Sequence, residues 1–143
     1  MKRYYKLSAV HILTAIVCFV ILSLNTSSCQ AANWQWCWST DTETVEIDTS
    51  SVHYSNFSYV GRNLVFWFRY INLDKSSTTG QAAARNKDGI DQIAFITAVG
   101  YDKDGKIIFS EDVSNDQYKF KYESIIPGSN GERIYNIAKK YAK

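Results

Sequence analysis

Few side chains in this chain combine a reactive type with a spacing that could perform chemistry. His53 is the single histidine beyond the apolar N-terminal stretch, and an imidazole acts as a base only beside a nucleophile or an orienting carboxylate. No serine or cysteine is spaced around it as such a partner, so a polar turn residue is the expected role. Asp102 and Asp104 resemble the opening of a calcium loop, but the twelfth position of that count is Val113 where a bidentate Glu is required. Followed by Gly105, they fit a tight hairpin turn instead. Asp41, Glu43, Glu46 and Asp48 supply carboxylates that fit a solvated strand face and a turn cap, and no pair stands out for acid and base work. No glycine-rich phosphate loop and no metal-ligand spacing of His and Cys occurs. No catalytic, cofactor or metal residues are therefore expected, and a binding role is favoured over an enzymatic one.

The most distinctive non-catalytic pattern is Trp34-Gln35-Trp36-Cys37-Trp38-Ser39. Strict alternation predicts a strand with three indoles on one face. That stripe is either an aromatic platform for sugars or a partner, or core; the core assignment is preferred because large rings supply most apolar burial in a small sheet protein. With the rings inward, Cys37 would face solvent beside Gln35 and Ser39 and could pair with a second copy.

The N-terminus positions the whole. Lys2, Arg3 and Lys6 precede an apolar run over residues 7–24 and a small polar stretch ending Gln30-Ala31-Ala32, the pattern of an export signal cut after Ala31 or Ala32. A lipid on Cys29 is the alternative. Residues 1–32 are thus assigned to the signal and 33–143 to one domain. Removing 32 of 143 residues leaves 111, enough for one packed core. Three of the 16 basic residues and none of the 14 acidic ones leave with the signal, so the formal charge becomes −1. A near-neutral domain lacks the field that drives nucleic-acid binding. Membrane contact is expected only through the signal or the lipid. With Cys37 the one cysteine certain to remain, stability must come from packing rather than disulfides.

Residues 43–47 read as a short strand ended by an Asx or Ser/Thr turn at Asp48-Thr49-Ser50-Ser51. Residues 62–72 alternate with both faces apolar, Leu64, Phe66, Phe68 and Tyr70 against Val65, Trp67, Arg69 and Ile71, which predicts a central strand covered twice. Residues 74–89 read as a long loop. Residues 91–101 predict a strand with Ile93, Phe95, Thr97, Val99 and Tyr101 on one face, joined by the Asp102–Gly105 turn to a partner over 106–110. Residues 117–123 predict a last edge strand. Ser129 and Glu132 form a capping box, the hydroxyl taking an amide of the first turn and the carboxylate reaching the cap's own amide. The helix that follows carries Ile134, Ile137, Ala138 and Tyr141 on one stripe. The fold class is α+β: one antiparallel sheet of five to six strands with a C-terminal helix on one face. The second face then needs a cover, which the 74–89 loop, a second copy in a weak homodimer or an external ligand could provide.

Trp34, the run Glu46-Ile47-Asp48-Thr49-Ser50-Ser51-Val52, the run Gly105-Lys106-Ile107-Ile108-Phe109-Ser110, and Ile125-Ile126-Pro127-Gly128-Ser129 with Glu132 together resemble the surface-adhesin protein E family of small exported bacterial proteins. The resemblance implies an antiparallel sheet with a packed C-terminal helix, and a surface protein that binds host matrix or serum proteins. It marks Trp34, Asp48, Ser51, Pro127, Gly128, Ser129 and Glu132 as structural motif residues. Where the resemblance would place a terminal cysteine this chain has Lys139-Lys140-Tyr141-Ala142-Lys143, so the departure puts in doubt the disulfide that the resemblance would imply for the helix. The functional expectation is an exported envelope or surface protein acting by protein binding. The alternative is a periplasmic or secreted structural or inhibitor-like domain that binds a protein of its own envelope.

Overall fold

The computed structural model describes residues 31–57, 60–116 and 119–143. The proposed signal and Cys29, apart from Ala31 and Ala32, lie outside these residues, as do Gln117 and Tyr118 of the expected last strand. One compact unit spans Ala32–Lys143; Ala31, which precedes it, and Ala32 are exposed and belong to no element. The elements are β1 (Trp34–Ser39), β2 (Glu43–Phe57), β3 (Gly61–Asn72), β4 (Ser77–Lys87), β5 (Ile90–Tyr101), β6 (Ile107–Asp112), β7 (Glu123–Ser124) and α1 (Asn130–Tyr141). All strand pairs are antiparallel, in the order β1-β2-β3-β4-β5-β6, with β7 also paired to β5. This is the expected α+β sheet, with α1 packed over β1, β2 and β3.

The expected loop over 74–89 is instead the central strand β4. Its Ala82, Ala83 and Ala84 are fully buried between β3 and β5. Alanine has little strand preference of its own, but its small side chain lets large rings from neighbouring strands lie over it, so tertiary packing overrides propensity. The connection to β5 is a two-residue hairpin turn, Asp88 and Gly89, at φ 55° and 82°. Positive φ at both positions matches the twist of the flanking strands.

β-Bulges account for the other departures. In β1, Trp36 pairs with Glu46 while Trp38 pairs with Val45, so Cys37 is an extra residue. An inserted residue switches the strand's facing. Trp34 and Trp36 therefore point away from α1, while Trp38 points toward it and is buried at 6% exposure. The single indole stripe does not form, and Cys37 is half-buried against the core instead of facing solvent. In β5 the extra residue is Ile96, which moves Thr97, Val99 and Tyr101 to the face opposite Ile93 and Phe95. In β2, the Asx turn at Asp48 forms but does not end the strand. Pairing with β3 resumes at His53 opposite Val65, so residues 49–52 stand against Phe66 alone.

The core beneath α1 contains Trp38, Val45, Ile47, Val52, Leu64, Phe66, Phe68, Ile134, Tyr135 and Ala138. Tyr135 joins the expected stripe, while Ile137 and Tyr141 are only partly buried. A second cluster on the opposite face holds Val65, Ala83, Ala94, Ile96 and Phe120, with Phe57 and Tyr122 against it. Phe120 comes from the segment between β6 and β7, which crosses this face. Among the described residues of the expected edge strand, Glu123 pairs, together with Ser124, as β7, while Phe120 and Tyr122 are used to close the sheet. The helix start is a β-turn, Ser129 N donating to Ile126 O with Gly128 at φ 81°. Pro127 sets the turn's first φ, and glycine takes the positive one. Ser129 Oγ accepts from Glu132 N at 3.3 Å, but the Glu132 carboxylate accepts from Gly128 N, one residue before the cap amide expected.

Candidate functional site

The polar residues singled out by type hold the backbone. One oxygen of Asp48 accepts from Asn33 N at 2.8 Å, Ser50 N at 3.0 Å and Ser50 Oγ at 2.6 Å. Ser51 Oγ donates to Asp48 O and accepts from Trp67 N at 2.9 Å, so a hydroxyl stands where the sheet lacks a carbonyl. Asp48 and Ser51 are thus what the β2 bulge is built on. His53 Nδ1 lies 2.7 Å from Ser51 O in the same turn. Asp102 Oδ1 accepts from Asp104 N and Lys106 N, which makes it the cap of the β5–β6 hairpin. Among the described residues no three His, Cys, Asp or Glu side chains converge on a common point.

Cross-strand register brings a different set together. Directly paired residues of an antiparallel sheet share a face. On the face away from α1, one row runs Trp34, Asp48, Trp67, Gln81, Thr97, and the next runs Trp36, Glu46, Arg69, Thr79, Val99. The Arg69 guanidinium sits 4.4 Å over the Trp34 ring, and its Nε and a terminal nitrogen each lie 2.6 Å from Glu46 Oε2. Trp36 is 62% exposed, its indole N–H donating to Ser39 Oγ at 2.9 Å. Trp34 and Trp67 are half-buried. Phe120 and Tyr122 cover the Val65 end of this face, and among the described residues the indole end is the part left open. The sequence pattern reached Trp34 and Trp36 but not their juxtaposition with Trp67 and Arg69, which depends on the Cys37 bulge.

A second open surface lies on the α1 side, over β4–β6. Phe95 packs against Phe68 with centroids 5.6 Å apart and ring planes tilted by 60°, and is 51% exposed. Phe109, 47% exposed, lies flat on Gly100, where an added Cβ would come within 2.1 Å of the ring. The edge strand β6 is exposed at all six positions, Ile107 and Ile108 among them. After an irregularity at Ile108, residues 109–112 pair in step with β5, and among the described residues no strand pairs with their outer edge. A cavity of about 360 Å³ opens beside it, bounded by Phe95, Ile96, Glu111, Val113, Lys119 and Lys121.

Searches for related proteins found no matching family model, no matching curated protein and no matching solved structure.

Proposed function

We propose that this chain is an exported cell-envelope protein that acts by binding another protein, in the manner of a surface adhesin, and not by turnover. The observation that carries the reading is the open β6 edge with its apolar residues. An exposed edge presents unpaired N–H and C=O groups to an incoming strand. Strand addition of this kind takes affinity from main-chain hydrogen bonds and specificity from adjacent side-chain pockets, and the cavity beside Phe95 is in position to serve as one. Exposed Phe95 and Phe109 on the α1 side add apolar area of the kind that marks interaction sites, and exposed Ile107, paired with Tyr101, lies on the opposite face of the same edge. The polar side chains engaged in holding turns and bulges support contact over catalysis. The basic, apolar and small-residue succession at the N-terminus supports export, and the protein E resemblance supports a matrix or serum protein as the partner.

Protease treatment of intact producing cells tests the location: release of the domain supports surface display, and full protection moves the reading to a periplasmic binder of the cell's own envelope proteins. Binding to a panel of immobilised matrix and serum proteins tests the activity. Ile108→Lys places a charge on an exposed edge position and should reduce that binding at least tenfold without moving the melting temperature. Equal binding by the variant would defeat the role of β6. Sedimentation of the same two proteins separates partner binding from pairing of two copies through that edge.

A further inference from the structure

We infer that the open indole face is a second binding site, separate from the β6 edge, and that its ligand is a neutral carbohydrate chain. Three features of the face select that chemistry. First, it is amphipathic at the scale of a sugar ring. The indoles of Trp34, Trp36 and Trp67 offer apolar ring surface, while Gln81 and Thr79 offer an amide and a hydroxyl in the same two rows. A pyranose has the complementary division, C–H groups on its faces and hydroxyls around its rim.

Second, no charge in the two rows is left without partners. Glu46 and Arg69 neutralise each other through two 2.6 Å contacts, and one oxygen of the buried Asp48 accepts from Ser50 N and Oγ in its own bulge and from Asn33 N. An anionic or cationic ligand would find no free counter-charge in these rows and would have to break the pair to gain one. Uncharged hydroxyls can instead accept from the guanidinium edge or donate to the carboxylate while the pair stays closed.

Third, the surface is flat, extended and held in place. Trp34 and Trp36 are two residues apart along one strand, roughly 7 Å, and Trp34 and Trp67 stand two strands apart, roughly 10 Å. Those separations suit successive rings of a chain better than one small molecule in a pocket. The guanidinium over Trp34 and the Ser39 hydroxyl on Trp36 fix the rings before any ligand arrives, which lowers the ordering cost of binding. Leaving Trp36 mostly exposed forgoes its apolar burial, and a ring that docks on a sugar face recovers part of that loss.

The test titrates the full chain, produced with its own N-terminal segment, with cellohexaose, maltoheptaose and chitohexaose, following tryptophan fluorescence and heat; a heparin hexasaccharide serves as the charged comparator. At least one neutral hexasaccharide or heptasaccharide should bind with a dissociation constant at or below about 1 mM and shift the emission. Trp36→Ala should weaken that binding at least tenfold while the melting temperature stays within one or two degrees. Arg69→Gln, which frees Glu46, should weaken it as well. Ile108→Lys should leave it unchanged, so the failure of one site is distinguishable from the failure of the other. Absence of binding by all three neutral sugars, binding of heparin alone, or a Trp36→Ala variant that binds as tightly as the parent would each overturn the assignment. A protein ligand whose binding is lost in Trp36→Ala but is displaced by none of the sugars would do the same.

Discussion

Cys37 shows how one residue's environment departs from what its neighbours in sequence suggest. Burial pushes its thiol up from 9.0 to about 11, the nearby Glu46 charge adds to that, and a backbone hydrogen bond from Ile47 opposes it. The thiolate is the reactive species, so alkylation of the folded protein at pH 8 should run on the order of a hundredfold slower than alkylation in urea. The sign for stability follows from the neutral form being favoured in the folded state. The contribution is present below pH 9 and is lost as pH rises from 9 toward 11. Urea midpoints of the parent should therefore fall relative to Cys37→Ala across that interval, and parallel curves would show the thiol to be no different from one in the unfolded chain. Alternation around Cys37 was visible in the sequence; the bulge that turns it inward was not, because an extra residue in a strand is defined only by its partner.

At the scale of elements, the β2 bulge is the most informative. The turn chemistry of Asp48-Thr49-Ser50-Ser51 was legible, since Asp and Ser accept from backbone amides two places on. What escaped is that the chain leaves the ladder there and rejoins it. Ser51 Oγ bridges the gap by accepting from Trp67 N. Ser51→Ala leaves that amide without a protein partner, which should cost roughly 1–3 kcal/mol, read as a lowered urea midpoint with the m-value unchanged. Loss of less than half that amount would mean water replaces the hydroxyl. The β4 misassignment has the opposite origin. Asp88-Gly89 is a hairpin signal in plain view, but the polar and alanine-rich stretch before it lacks strand preference, and only neighbours on both sides make it a strand.

At the scale of the molecule, two partial covers leave two partial openings. The helix covers β1–β3 on one face, and Phe120 with Tyr122 covers the Val65 end of the other. Phe120 is 6% exposed and its ring centroid lies 5.4 Å from that of Phe57 and 5.4 Å from that of Tyr122. Phe120→Ala should cost about 3–5 kcal/mol, whereas Trp36→Ala should stay within about 0.5 kcal/mol of the parent. Comparable losses for the two would place both rings in the core and remove the distinction between closed and open ends of this face. The Tyr122 hydroxyl donates to Asn63 Oδ1, and the Arg85 guanidinium lies 3.7 Å over the Tyr122 ring. These contacts tie the crossing segment to β3 and β4 with directional bonds as well as apolar area.

The class of fold, the hairpin at Asp102, the helix and its cap, and the double-sided apolar character of β3 were all readable along the chain. Each shows in the residue types and spacing of a short stretch of chain, which can be read without knowing its partners. Which side chains meet on each face was settled by register, by the Cys37 and Ile96 bulges, and by the return of Phe120 across the sheet. Those depend on partners far away in sequence, so the open indole face came into being only when the strands were laid side by side.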